Sequence, residues 1–321
     1  MSDYNESIVL VGGGGGVYRV ARFLKNIRPN ITTIQTSFDH GGHSGELRDE
    51  RGVLPPGDIR QAILALADDG IEAEFRALLT HRFAPKNGSS LDHATVGNIL
   101  LTALIEITGS LPGAINVLSR WFRVKGKVLP VSLENAELVV QLSDGKKLKG
   151  EGKIDKRSIK DHRKIVGARL EPCAGIYPLA YEAIVSAKKI VFCPGDLYTS
   201  IVPNVLVQGF KEAVAKSKAK LIFIVNIMTK RAETDGFSAS EFVRIVLSYL
   251  ERKSFDFVIC NKAPISNEMI KKYRVEGARP VLIDLPFLSR FSKKVILQSL
   301  ADETGGLVRH NDKIGSVIAN L

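Results

Sequence analysis

Ile8-Val9-Leu10-Val11 is an unbroken apolar run that stops at five glycines, Gly12, Gly13, Gly14, Gly15 and Gly16. A run without polar alternation reads as a strand buried on both faces. After the glycines, Val17, Val20, Ala21 and Leu24 recur at i, i+3, i+4 and i+7, one face of a helix. A second strand is expected over Ile31–Thr36. Helical spacing follows over Ile59–Ala67, Ile71–Leu79, Val96–Ile107 and Ala114–Trp121. From about 124 to 170 the period changes to that of strands, over Lys127–Val131, Ala136–Leu142, Lys146–Lys149 and Ile165–Leu170, with a hairpin signal at Asp144-Gly145. This stretch is expected to be a β-rich insertion.

Beyond Glu171 the alternation of strand and helix resumes. Strands are expected at Lys189–Cys193, Lys220–Asn226, Asp256–Asn261 and Pro280–Ile283. Helices are expected at Ile201–Ala215, Ala239–Leu250, near Glu268–Tyr273 and in the tail after Leu307. Alternating β and α predicts one α/β domain over residues 1–321, a mainly parallel sheet covered by helices on both faces. Ligands on such sheets bind beyond the carboxyl ends of the strands, so the loops there are the places to look for chemistry.

Five of those loops carry it. The glycine run lets backbone approach a phosphate at a helix N-terminus, although GxGxxG fails at Val17 and no Gly-Lys-Ser/Thr follows. Asp39-His40-Gly41-Gly42-His43-Ser44-Gly45 places Asp39 where it can meet Mg²⁺ or a ribose hydroxyl. Two His and one Asp are too few for a dedicated transition-metal site, so none is expected, and Ser44 lacks the GxSxG spacing of a nucleophile elbow. Asp58 either caps a helix starting at Ile59 or meets a ligand. Asn98, inside a helix after His93, is a satisfied amide or a ligand contact. Cys193–Ser200 offers Gly195 and a helix start where Thr199 and Ser200 serve as caps or hold a second phosphate. Asn226 and Thr229 either cap their loop or read a base or sugar edge.

Composition narrows the partners. The 321 residues are 45% hydrophobic and 25% charged, which excludes a largely disordered chain. The formal charge of +11 favours anionic partners: nucleic acid, an acidic membrane surface or a phosphorylated small molecule. No nucleic-acid motif accompanies it, so nucleic acid ranks last. The basic run Lys146–Arg169 reads as a solvated face of a β ribbon in preference to a binding patch, and without aromatic residues it is not expected to stack bases. No apolar stretch is long enough to span a bilayer. Cys173, Cys193 and Cys260 form no CxxC pair and read as core filler in a reducing cytosol.

Taken together, the blocks GGGGG, FDHGGHSGELR, LPPGDIR, KVLPVS, CPGDLYTSIVPN, NIMTKRAET, YRVEGARPV and LVRHND, in order along nearly the whole chain, resemble the YvcK gluconeogenesis-factor family, related to the 2-phospho-L-lactate transferase CofD. The resemblance implies a cytoplasmic protein with a Rossmann-like three-layer α/β/α fold. It implies binding of nucleotide sugars such as UDP-N-acetylglucosamine, in control of carbon metabolism and of cell wall and cell shape, with no required cofactor. The related branch instead moves a phospholactyl group onto a deazaflavin, which would give Asp39 and Asp58 a catalytic part with Mg²⁺. Binding positions carried over are the glycine loop, Asn226, Thr229, Tyr273 and Arg309. A homo-oligomer is compatible with either branch. The chain departs from the family pattern at Gly15 (threonine), His40 (an acid), His43 (serine), Ala94 (histidine), Asp196 (serine) and Ala232 (glycine). The lost acid weakens Mg²⁺-assisted transfer, and Asp196 adds negative charge beside the expected phosphate site.

Overall fold

The computed structural model describes residues 5–38, 54–71, 73–86, 91–158 and 161–321. In chain order the first half contains β1 (Ile8–Gly12), α1 (Gly14–Leu24), β2 (Ile31–Gln35), α2 (Gly57–Leu66), α3 (Ala73–Thr80), α4 (Val96–Thr108), α5 (Leu111–Trp121) and β3 (Lys127–Pro130). A small unit follows: β4 (Glu137–Leu142), β5 (Lys147–Lys149), α6 (Glu151–Asp155) and β6 (Ile165–Glu171). Next come α7 (Pro178–Ser186), β7 (Lys189–Phe192), α8 (Val202–Leu206), α9 (Phe210–Lys216), β8 (Lys220–Ile224), α10 (Ala239–Leu250) and β9 (Phe255–Asn261). The last elements are α11 (Asn267–Val275), α12 (Leu285–Leu288), β10 (Ser292–Gln298), β11 (Ala301–Asp302), β12 (Arg309–His310) and α13 (Lys313–Ala319).

The central sheet runs β10-β9-β8-β7-β1-β2-β3 with every neighbouring pair parallel. Strand alternation divides the core in two. Ile8 and Leu10 face one layer with α1, α2, α4, α5 and α13, while Val9 and Val11 face the other with α7 to α10. The architecture is the expected Rossmann-like α/β sandwich. The chain moves outward from β1 to β2 and β3, then returns to the far side of β1 and runs outward again through β7 to β10. The direction of winding therefore reverses between β1 and β7, which puts the ligand crevice of this architecture there.

Local chemistry explains several boundaries. The α10 N-terminus has a capping box between Ser238 and Glu241. Gly109, left-handed at φ 74°, ends α4, and Ser110 caps α5 one residue later by accepting from Gly113 N at 3.2 Å.

Four expectations are corrected. Lys127–Pro130 belongs to the main sheet, pairing with β2, so the β-rich unit is the antiparallel β5-β4-β6 alone. The helix expected over Ile201–Ala215 is two helices. Between them Gln208 bridges to Gly175 and Gly209 is left-handed at φ 94°, which no continuous helix accommodates. Pro280–Ile283 forms only isolated bridges to Met228 and Ser238. The last strand is β10, hidden in sequence because its exposed Lys293 and Lys294 protect a sheet edge. Cys193 and Cys260 are buried as expected, but Cys173 is exposed.

The basic run is only partly a solvated face. Arg157 is buried and ties the β-rich unit to the main body. Its Nε donates to Asp161 at 2.9 Å, Nη1 donates to the Ala232 carbonyl at 2.6 Å, and Nη2 donates to the Arg163 carbonyl. Ala232, which accepts this tether, sits at φ 70°. A left-handed backbone costs an L-residue roughly 1–2 kcal/mol, against about 0.5–1 kcal/mol for glycine's extra chain entropy. Ala232→Gly is therefore expected to raise unfolding stability by up to about 1 kcal/mol, read as a higher urea midpoint. A lower midpoint would show that the Cβ packs favourably enough to outweigh the strain.

Candidate functional site

Gly13 precedes α1 and has no side chain to cap it, and the first N–H groups of the helix have no acceptor within the helix and favour an anion. Gly14 is left-handed at φ 57°. Two close approaches fix the loop. A Cβ on Gly16 would stand 1.6 Å from the Pro194 carbonyl oxygen, and one on Gly13 would stand 2.3 Å from Asp58 Oδ2. Glycine is thus obligatory where the β1 loop touches the backbone of the β7 loop, and at Gly13 a side chain would have to displace the Asp58 carboxylate. At Gly15 a Cβ would meet nothing within 4 Å, so the departure from threonine is sterically free.

Asp58 is not the cap of its helix. α2 begins at Gly57 with Pro56 before it, and Asp58 lies in the first turn with its carboxylate against the glycine loop. Asn98 is the satisfied amide: its Oδ1 accepts from Arg60 Nε at 2.8 Å. Asp39, His40, His43 and Ser44 lie outside the described residues. Among the described residues no three His, Cys, Asp or Glu side chains form a metal-binding group, and Asp58 sets a single carboxylate against the glycine loop.

The β7 loop behaves differently from expectation. The helical segment after it starts at Leu197 as a single π-turn, with Asp196 in the cap position. Thr199 and Ser200 are inside that turn. Thr199 is buried and donates its hydroxyl to Glu233 Oε1 at 3.1 Å, and Tyr198 N donates to Glu233 Oε2 at 2.8 Å. An internal carboxylate thus occupies the place expected for a second phosphate. Lys230 completes the group, its Nζ 3.1 Å from Glu233, 2.5 Å from Asp196 and 2.8 Å from Asp155 of α6. Burial pushes Glu233 up to about 7 and Asp196 adds to this, while Lys230 and the Tyr198 N–H oppose. Burial alone would lower Lys230, but the carboxylates of Glu233, Asp196 and Asp155 hold it above its ordinary value.

Asn226, after β8, clasps Gly195 from both ends: its Oδ1 accepts from Gly195 N at 3.1 Å, and its Nδ2 donates to Gly195 O at 2.7 Å. Asp196, Asn226 and Met228 form a wall shared by two cavities, of about 830 and 600 Å³. The smaller one is lined by Thr229, Lys230 and Tyr273. Thr229 is held by its neighbour strand segment, its Oγ1 accepting from Arg279 N at 3.0 Å, and the Tyr273 hydroxyl accepts from Val308 N at 3.0 Å. The larger opens beyond Gly15 and Gly16 and contains Arg19, Arg22, Arg60, Arg309 and His310. So the structure brings together the glycine loop, Gly195, Asn226, Thr229, Tyr273 and Arg309, and leaves Thr199 and Asn98 in supporting positions.

Sequence reasoning passed over Arg19, Arg22, Arg60, Lys230 and His310. Arg60 and His310 were visible only as members of LPPGDIR and LVRHND. His310 is 5% exposed, and burial pushes its imidazole down to about 4, with Arg19 adding and the Val225 carbonyl opposing. Because the folded value lies below the ordinary 6.5, the neutral ring's contribution is complete above about pH 6.5 and is lost as pH falls toward 4. Between pH 7 and pH 5 His310 is expected to cost the fold about 2 kcal/mol. Urea unfolding at both pH values measures this, and His310→Gln should flatten the difference by that amount. An unchanged slope in the variant would count against a buried neutral ring.

A family model described as 2-phospho-L-lactate transferase CofD matches residues 8–301. The gluconeogenesis factor of Halalkalibacterium halodurans is 36% identical over 308 residues, 95% of this chain and 93% of that protein. The gluconeogenesis factor of Bacillus subtilis is 34% identical over 316 residues, 98% and 97% of the two chains. A crystal structure of a UPF0052 family member from Bacillus halodurans superposes with a TM-score of 0.91 at 34% identity, covering 98% of this chain and 99% of that one. With near-complete coverage in sequence and in fold, this chain belongs to the CofD family, among the proteins named gluconeogenesis factor.

Proposed function

We propose that the protein binds a nucleoside diphosphate sugar of the UDP-N-acetylglucosamine type and acts as a regulator of carbon metabolism and of cell-wall and cell-shape control. The observation that carries this reading is the meeting of the glycine loop with the Pro194-Gly195 loop at the reversal of strand order, with a cavity on either side of Asp196 and Asn226. The N–H groups at the start of α1, which have no acceptor within the helix, suit one phosphate, each helix-terminus contribution being worth about 0.3–1 kcal/mol. Arg309, exposed on β12 at the mouth of the larger cavity, suits the other through its planar fork. The smaller cavity, with Tyr273 and Thr229, suits the nucleoside. The internal Glu233 keeps the diphosphate off the turn at Thr199 and directs it toward α1. The name shared by the relatives supports the regulatory part of the reading.

UDP-N-acetylglucosamine is expected to bind below millimolar concentration and to raise the melting temperature. Arg309→Ala should weaken binding by about 10–100-fold, the worth of one charge-assisted hydrogen-bond pair, without shifting the melt of the free protein. Calorimetry and thermal melts check both, and the absence of any nucleotide-sugar binding would overturn the reading.

A second reading is a transferase, favoured by the family model and by the Asp58 carboxylate against the phosphate-binding loop. An acceptor hydroxyl would attack the phosphorus of a nucleotide-activated phospholactate, the bond to the nucleotide would break, and the nucleoside monophosphate would leave. Turnover with a deazaflavin acceptor decides. If the chain is a transferase, Asp58→Asn is expected to abolish the rate; if it only binds, the wild type turns nothing over and the substitution changes affinity alone.

A further inference from the structure

The larger cavity holds more positive charge than a diphosphate needs. Of its arginines, Arg19 is paired with Asp302 at 3.2 Å, whereas Arg22, Arg60 and Arg309 make no ion pair among the described residues. Asp196 is the one acid among the described lining residues, and Lys230 already holds it at 2.5 Å. With Arg309 and the start of α1 assigned to the phosphates, Arg22 and Arg60 remain.

Arg60 is built in rather than merely present. Its Nε donates to Asn98 Oδ1 at 2.8 Å and its Nη1 to the Leu79 carbonyl at 3.4 Å. A Cβ on Gly97 would stand 2.5 Å from Arg60 Cδ, so α4 carries glycine where the arginine stem crosses it. Two of the five guanidinium N–H groups are thus used for positioning and the rest of the fork remains for a ligand. Burial and the neighbouring Arg82 both press Arg60 below its ordinary value, and the Asp58 carboxylate opposes them without reversing the shift.

His310 adds a requirement of the opposite kind. One ring nitrogen donates to the Val225 carbonyl, and Nε2, buried, has no partner. In the neutral ring that nitrogen carries a lone pair and accepts only, so it calls for an O–H donor.

We propose that this cavity receives a hydroxylated group bearing an acid of its own, a sugar carrying a carboxylate or a phosphate, gripped by Arg60 and Arg22 with a ring hydroxyl donating to His310 Nε2. Asn98 and Gly97 are then positioning residues for Arg60. The proposal rests on the nucleotide-sugar reading and specifies the sugar end of that ligand.

UDP-glucose and UDP-glucuronate test it, because they share nucleotide and ring and differ only in a hydroxymethyl against a carboxylate. Calorimetry on the full chain is expected to show the glucuronate binding at least tenfold tighter. Arg22→Gln, on the exposed surface of α1, and Arg60→Gln should each shrink that ratio, and the double variant should bring it near one while UDP-glucose affinity stays within about twofold. His310→Phe should weaken both sugars alike and leave the ratio unchanged. Equal affinities in the wild type, or a preference that survives the double variant, overturn the proposal while leaving nucleotide-sugar binding intact. Glucose 6-phosphate separates the two claims in the other direction. If neither UDP-sugar binds but glucose 6-phosphate does, and Arg60→Gln removes it, the acid-sugar compartment stands and the nucleotide-sugar reading fails. If none of the three binds, both fail.

Discussion

Everything at the functional end of the sheet depends on the contact between Gly16 and the Pro194 carbonyl. No side chain fits where a Cβ would stand 1.6 Å from an oxygen. That contact joins the ends of β1 and β7, the neighbouring strands from which the chain winds outward in opposite directions. Asn226 extends the same contact to β8 by holding both polar groups of Gly195. Asn204 extends it to α8, donating to Gly12 O at 3.3 Å. Three successive strand ends are thereby held as one rigid rim.

Electrostatics then divides the rim into unlike halves. On the β8 side one cation is shared by three carboxylates, so no positive charge is left over. Glu233 satisfies the turn at Tyr198 and Thr199, and Lys230 is shared among Glu233, Asp196 and Asp155. Removing one partner from such a buried group leaves an uncompensated charge, so the cluster keeps its geometry better than it adds stability. On the α1 and α2 side, Arg22, Arg60 and Arg309 make no ion pair among the described residues, although Asp58 lies close enough to Arg60 to act on its charge. A ligand with charge at both its diphosphate and its far end matches this asymmetry. The charge of Asp196, which by sequence alone adds to the expected phosphate site, is taken up by Lys230.

Much of the frame was legible. Buried parallel strands announce themselves as unbroken runs such as Ile8–Val11 and Leu221–Ile224, because both faces meet apolar layers. The Asp144-Gly145 hairpin was legible because turn chemistry is local: Asp144 Oδ1 accepts from Lys146 N at 3.0 Å, and Gly145 is left-handed at φ 84°. β10 was not, because an edge strand has only one neighbour and its exposed lysines break the apolar signal. β3 was misplaced for a related reason: a strand's period reveals its conformation but not the sheet it joins. Thr199 and Ser200 had the chemistry of caps, yet the cap position fell to Asp196 because Glu233, distant in sequence, took the turn's donors.

The chain by itself determined the winding of the fold and the loops at its strand ends, since periodicity and glycine placement act over a few residues and survive without tertiary context. Only the folded structure decided which polar groups in those loops are already spent. Asn98 is consumed by Arg60, Thr199 by Glu233 and Lys230 by three acids, whereas His310 Nε2 is left without a partner. Such pairings join residues tens or hundreds of positions apart. Desolvation, which decides whether a charge must find a partner, exists only once those residues have been brought out of water together.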